Sequence, residues 1–233
     1  MRALIGWFLQ PFRFAVIERH LRRLHRSPRE ALRVLDVGCG RSSPGLTCKT
    51  FPNCEYHSID LMEPAEFIAI HGEKLGAHYH RLDLERGGLA DLSGTEFDLV
   101  VISHVVEHLD NGVDVIRQAG TLLRKGGILF VEYPRLASVN LPSMEGTLNF
   151  HDDPTHKRFH DLVDVANAMT DGGLVVREAR TRRYWRRILF VPIGALYSLL
   201  SKGRLRAGVF WDLCGFAEYA VGERLVPATR TDA

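Results

Sequence analysis

Val34-Leu35-Asp36-Val37-Gly38-Cys39-Gly40-Arg41-Ser42-Ser43-Pro44-Gly45 is the stretch that decides the fold of this chain. Leu32 to Val37 is a short apolar run that stops at glycines, the pattern of a strand buried on both faces of a parallel sheet. Gly38 and Gly40 let the backbone turn sharply and let a ligand approach with no Cβ in the way. A ligand at that turn lies over the carboxyl ends of the strands, where open α/β sheets hold their ligands. Twenty positions after Gly40 stands Asp60. That spacing suits a carboxylate that accepts hydrogen bonds from both hydroxyls of a ribose.

Outward from this turn, strands and helices alternate. Cys54–Ile59, Ala77–Leu82 and Phe97–Ile102 read as the next strands. Val113–Leu123 has apolar residues at helical spacing and predicts a helix capped by Lys125-Gly126-Gly127. Ile128–Glu132, Leu174–Ala179 and Phe216–Val221 complete seven strands, with a helix predicted over Asp161–Met169. Such alternation predicts a mostly parallel sheet with helices on both faces. No internal repeat interrupts it.

Two cofactors fit a glycine turn of this kind. A dinucleotide wants a third glycine at position 43, so that a helix N-terminus can meet the pyrophosphate. Ser43 and Pro44 stand there instead. S-adenosylmethionine (SAM) carries no phosphate, and its sulfonium favours nearby carboxylates; Asp36 supplies one.

At this point the chain resembles the class I SAM-dependent methyltransferases. Leu35-Asp36-Val37-Gly38-Cys39-Gly40 is similar to their first motif, and Ser58-Ile59-Asp60 to their second. Arg81-Leu82-Asp83-Leu84 matches the acid after their third strand. Phe97-Asp98-Leu99-Val100 with Ser103-His104-Val105-Val106-Glu107-His108-Leu109 resembles the fourth-strand motif, and Leu122–Gly127 the turn before the fifth. The likeness runs over roughly residues 32–134 and departs at Ser42-Ser43-Pro44, where many members have another glycine. It implies a Rossmann-like seven-stranded α/β fold with SAM as cofactor. It places Asp36, Gly38, Cys39, Gly40, Asp60, Leu61, Asp83, Leu84 and Ser103 around that cofactor, with Asp83 on the adenine amino group. Glu107-His108 invites a metal, but in the family the pair mostly orders the loop after the fourth strand, so no metal is expected.

Asn149 to His160 carries three histidines and two aspartates within ten residues, after a long loop. Methyl transfer from an activated donor needs alignment above all, and a general base when the nucleophile is a hydroxyl. Histidine suits that base role near neutral pH. His156, His104 and His151 are the candidates, His156 first. Asp153-Pro154 also reads as an ordinary helix start, aspartate as N-cap and proline in the first turn. Asp153-Pro154-Thr155-His156 resembles a segment of methyltransferases from sugar-modifying pathways. O-methylation of a hydroxylated small molecule or a glycan sugar is therefore expected. C- or N-methylation of an aromatic or quinone-like acceptor is the alternative. An inactive SAM-binding partner protein and an NAD-dependent oxidoreductase are more distant ones.

The bulk numbers set limits. The chain has 233 residues, 45% hydrophobic and 25% charged, enough for one substantial core. A net charge of +2 gives no case for nucleic acid as a partner. Four cysteines without a paired spacing suggest reduced thiols and a cytoplasmic protein. Residues 1–28 form an expected helical appendage to a methyltransferase domain over 29–233. Its apolar burst, Ala3 to Leu9, is too short for a span and lacks a cleavage-site pattern. Within the domain, 134–160 is expected to be an acceptor loop and 180–215 an insertion or cap. Arg180–Arg187 followed by apolar Ile188–Leu200 leaves two readings open. One is a peripheral element on the inner membrane face, and the other is a cap or dimer contact.

Overall fold

The computed structural model describes residues 11–226; the apolar burst Ala3–Leu9 lies outside them. One sheet holds seven strands: β1 (Arg33–Val37), β2 (Glu55–Asp60), β3 (Tyr79–Arg81), β4 (Phe97–Ser103), β5 (Leu123–Pro134), β6 (Val175–Thr181) and β7 (Ala217–Glu223). Their order is β3-β2-β1-β4-β5-β7-β6. β7 runs antiparallel between β5 and β6, and the other neighbours pair in parallel. The chain leaves β1 toward β2 on one side and later returns to place β4 on the other. That reversal opens a crevice at the carboxyl ends of β1 and β4.

Alternation along the central strands makes two cores. Val34, Leu99, Val101 and Phe130 face one way and pack against α1 (Phe12–Arg23), whose Phe14, Ile17 and Leu21 are fully buried. Their i, i+3, i+7 spacing puts all three on one helix face, and each contributes about 1.5–3 kcal/mol over an exposed position. Leu35, Val100, Ile102, Leu129 and Val131 face the other way. They meet α5 (Gly112–Thr121) and α6 (Leu162–Asp171), with α2 (Ser43–Thr50), α3 (Pro64–His71) and α4 (Glu73–Gly76) preceding these in the chain. Asp161 caps α6 by accepting from the Val163 and Asp164 N–H groups at 2.8 Å.

Two local expectations are corrected. Lys125-Gly126-Gly127 does not cap α5, which ends at Thr121; it lies inside β5. Register shifts there between Phe97 and Leu99 of β4, so the glycines form a bulge. Gly126 has φ +78 and donates its N–H to Arg224 O at 2.7 Å. Asp153-Pro154 does not start a helix either. Asp153 Oδ1 instead accepts from Thr155 N and Thr155 Oγ1, closing a turn.

The segment after β6 resolves into α7 (Trp185–Leu189), α8 (Val191–Lys202) and α9 (Trp211–Cys214). Among the described residues, no helix is long and apolar enough to cross a membrane.

Candidate active site

A cleft of about 500 Å³ opens at the carboxyl ends of β1 to β4, within the roughly 300–1,000 Å³ usual for small-molecule sites. Gly38, Asp60, Leu61, Asp83, Leu84 and His104, all singled out from the sequence, are among the residues that line it. Gly38 has φ +65, and a Cβ on it would come within 2.4 Å of Val105 Cγ2. Only glycine fits there. Asp60 clamps the turn: its Oδ2 accepts from Gly40 N at 2.7 Å, and its Oδ1 from Leu61 N at 2.8 Å. Asp83 Oδ1 accepts from Glu85 N at 3.0 Å. Glu85 also lines the cleft and holds Lys157 Nζ at 2.8 and 2.9 Å. Asp60 and Asp83 therefore keep the rim acidic, suited to a cation and adverse to a phosphate.

Four of the residues expected around the cofactor, Asp36, Cys39, Gly40 and Ser103, do not line the cleft. Asp36 is buried beneath α2, where its Oδ2 accepts from Ser43 Oγ (2.5 Å), Tyr56 OH (2.9 Å) and Thr47 Oγ1 (3.3 Å). Burial raises its pKa despite Arg13 and these hydroxyls. Asp36 thus anchors the helix behind the glycine turn and does not face the cleft. Cys39 and Ser103 stand beside cleft residues without lining it. Burial, with Asp36 and Asp60 nearby, pushes the Cys39 thiol up to about 12.

The histidines divide by environment. His104, held at φ +57, places Nδ1 3.2 Å from Glu107 Oε1 and Nε2 3.7 Å from Glu132 Oε1. Burial alone would lower its pKa, but the two carboxylates raise it to about 9. That direction favours the charged imidazolium over the neutral ring that a general base needs. Glu132 is in turn held by Arg182 Nη1 at 2.7 Å, and Arg182 forks onto Asp212 at 2.9 and 2.8 Å. This buried chain of charges is absent from the sequence expectations, because its members come from β5, the residue just after β6, and α9.

His108, expected only to order a loop, lines the cleft. Its Nδ1 lies 2.9 Å from Thr155 Oγ1 and 3.3 Å from Thr155 O. Thr155 gives its one hydroxyl proton to Asp153 Oδ1 at 2.6 Å. Nδ1 must therefore be the donor, and neutral His108 keeps its lone pair on Nε2. His156 stands one ring removed from the cleft, its centroid 4.8 Å from that of His108, with Nδ1 donating to Phe150 O at 2.7 Å. His151 is exposed and contacts Phe150 and Phe159, away from the cleft. Glu107, His108 and His156 bring one ligand atom each within 4.8 Å of one another, and buried Glu107 Oε2 has no hydrogen-bond partner. That trio could hold a divalent cation. His156 joins the pair only through the fold.

Beside His104 stands an aromatic wall, Trp211 at 5.1 Å and Phe216 stacked on Trp211 at 4.9 Å. Trp211 Nε1 donates to Thr147 O at 2.8 Å, tying α9 to the 134–160 loop. Asp152 staples that loop by accepting from Met144, Leu148 and Asn149 N–H groups at 2.9–3.0 Å, and from Ser143 Oγ. Burial would raise its pKa, but these donors hold the carboxyl down at about 2.

Residues 9–179 match the family model for the methyltransferase domain. The chain belongs to that family. It is a SAM-dependent methyltransferase, and SAM is its cofactor. The methyltransferase is 27% identical over 178 residues to the ubiquinone biosynthesis O-methyltransferase of Marinobacter nauticus, covering 72% of this chain and 71% of that one. It is 30% identical over 131 residues to the malonyl-[acyl-carrier protein] O-methyltransferase of Enterobacter lignolyticus, covering 55% and 48%. A SAM dependent methyltransferase from Archaeoglobus fulgidus superposes with TM-score 0.55 at 20% identity, over 95% of this chain and 99% of that one. At that identity the likeness speaks for the fold.

Proposed function

We propose that the methyltransferase O-methylates a hydroxyl group of a small molecule or of a sugar in a glycan or glycoconjugate, with His108 as general base. SAM supplies an electrophilic methyl group. Asp60 is assigned to its ribose and Asp83 to its adenine amino group, between the apolar walls Ile59, Leu84 and Leu109. Three N–H groups, of Gly40, Leu61 and Met62, already occupy most of the acceptor capacity of Asp60. The ribose therefore competes with the clamp on the turn, which couples cofactor binding to the glycine loop.

The observation that carries the reading is the hydrogen-bond chain from Asp153 through Thr155 to His108 Nδ1. Asp153 fixes the Thr155 hydroxyl, which fixes the imidazole proton on Nδ1 and leaves Nε2 to take the acceptor's proton. A hydroxyl must lose that proton as it is methylated, whereas a carbon or amine nucleophile need not lose it to a base in the same step. Asp153-Pro154-Thr155-His156, the segment with a likeness to sugar-pathway enzymes, then has a physical role, which is to orient the base. The names of the curated relatives above also favour oxygen as the methylated atom. Residues 134–160 and 180–215 would wall the acceptor side through Trp211, with Phe216 just beyond them stacked on it. An aromatic acceptor is the second reading, favoured by that same flat wall, on which a phenol stacks as well as a pyranose ring does.

Release of S-adenosylhomocysteine, measured against panels of sugars and phenols, tests both readings. His108→Ala should lower kcat by roughly 10²–10⁴-fold while leaving SAM affinity unchanged. Full turnover by that variant would remove His108 from the mechanism.

A further inference from the structure

Between Ala179 and Trp211 the chain has eight arginines and lysines and no aspartate or glutamate. Arg182 spends its charge inside, on Glu132 and Asp212. The remainder flank two helices that bury almost nothing: of the twelve residues of α8, only Ser198 is buried. Ile193, Leu196, Tyr197 and Leu200 are 63%, 58%, 72% and 78% exposed. Their i, i+3, i+4, i+7 spacing is that of a core-facing stripe, turned outward. Leu189 (66%) and Trp185 (55%) extend the apolar surface through α7. Contiguous exposed apolar surface of this kind marks an interaction site.

A groove of about 620 Å³ adjoins these helices and shares Trp185 and Arg186 with α7. Arg19 and Arg22 of α1 face Arg180, Arg183 and Arg186 across the groove, and Glu18 is the one acid among its lining residues. Glu178 beneath it takes part of the charge of Arg19 and Arg180. The excess is still cationic, and guanidinium groups bind phosphate oxygens in a bidentate fork.

We propose that this face docks the methyltransferase on an anionic phospholipid bilayer, with the apolar stripe of α8 in the interface and the arginine groove on lipid phosphates. A helix of twelve residues cannot cross a bilayer but can lie in its surface. Charge complementarity selects a bilayer over a second copy of the chain, because a twofold contact through this face would set its cations against their own counterparts. The inference does not depend on which acceptor is methylated.

Flotation of the full chain with phosphatidylcholine vesicles, and with phosphatidylcholine–phosphatidylglycerol vesicles, tests it. The bound fraction should rise at least about tenfold on the anionic vesicles and fall with added salt. Arg183→Gln with Arg186→Gln should weaken partition roughly twenty-five-fold, each arginine near an anionic surface contributing about fivefold. Leu196→Glu with Leu200→Glu should abolish it while thermal unfolding and SAM affinity stay as in the wild type, which separates lost docking from lost folding. Equal partition on both vesicle types would overturn the proposal. So would a dimer in light scattering that the leucine variant splits, which would give the face to a second copy. Capture of an acidic protein without any binding to anionic vesicles would overturn it as well.

Discussion

Replacing Arg182 by methionine removes the centre of the buried charge chain while keeping much of the side chain's volume. Arg182 is 5% exposed, and its partners Glu132 and Asp212 are 2% and 1% exposed. Both carboxylates lose their guanidinium, and His104 Nε2, at 3.7 Å from Glu132, is too distant for a good hydrogen bond to replace it. Breaking a buried ion pair from one side costs roughly 3–5 kcal/mol. A second route gives a similar figure. Burial would raise the pKa of Glu132, but Arg182 and His104 lower it from an ordinary 4.5 to about 2. That difference corresponds to roughly 3 kcal/mol of stability at neutral pH. For a chain of this size the loss amounts to a fall in Tm of roughly 10 °C. The sign with pH follows from the depressed pKa: the stabilisation is complete above about pH 4.5 and disappears as pH falls toward about 2. Thermal unfolding of both proteins by circular dichroism from pH 7 downward should therefore show a gap that narrows on acidification. A fall of less than about 2 °C at pH 7, or a gap indifferent to pH, would refute the assignment of the network.

Other outcomes follow from the same geometry. Asp60→Ala should weaken SAM binding about 10–100-fold by calorimetry, the effect of losing a hydrogen bond to a charged group; unchanged affinity would place the ribose elsewhere. Gly38→Ala, with its Cβ 2.4 Å from Val105 Cγ2 and φ at +65, should lower stability and SAM affinity together. Retention of both would show that the turn has room. His151→Ala should leave kcat within about twofold of wild type, since the ring stands outside the cleft, and a large loss would return it to the site. Asp152→Ala frees three backbone N–H groups of the 143–149 loop, so limited proteolysis should cut there faster and KM for the acceptor should rise. An equally protected loop would argue against the staple.

Much of the fold is legible in the sequence because its central signals are local. Leu32–Val37 with Gly38 and Gly40 announces the strand and turn, and the near-continuous apolar run from Phe97 to Ile102 announces its neighbour. Asp60, Asp83 and Leu84 are legible for the same reason: Asp60 ends β2, and Asp83 and Leu84 come within three residues of the end of β3, so a strand assignment also places the residue. Asp36 misleads because motif position says nothing about which face of β1 a side chain takes; it meets two hydroxyls of α2, Ser43 and Thr47, and that of Tyr56 on β2. Lys125-Gly126-Gly127 misleads because a glycine with positive φ serves a β-bulge as readily as a helix cap. Sequence alone offers His156 and passes over His108 because the arrangement on which the proposal for His108 rests, Thr155 and Asp153 behind it, is a contact between distant segments. Arg182 reads as one of a basic run in sequence and is a buried hub in space.

Calorimetric titration of the wild-type protein with SAM, repeated on Asp60→Ala and Asp83→Ala, tests most directly that the cleft beyond Gly38 and Gly40 holds the cofactor. One site with micromolar affinity, weakened in both variants while their folding is intact, is the predicted result. Equal affinity in all three proteins, or no binding by the folded wild type, would contradict it.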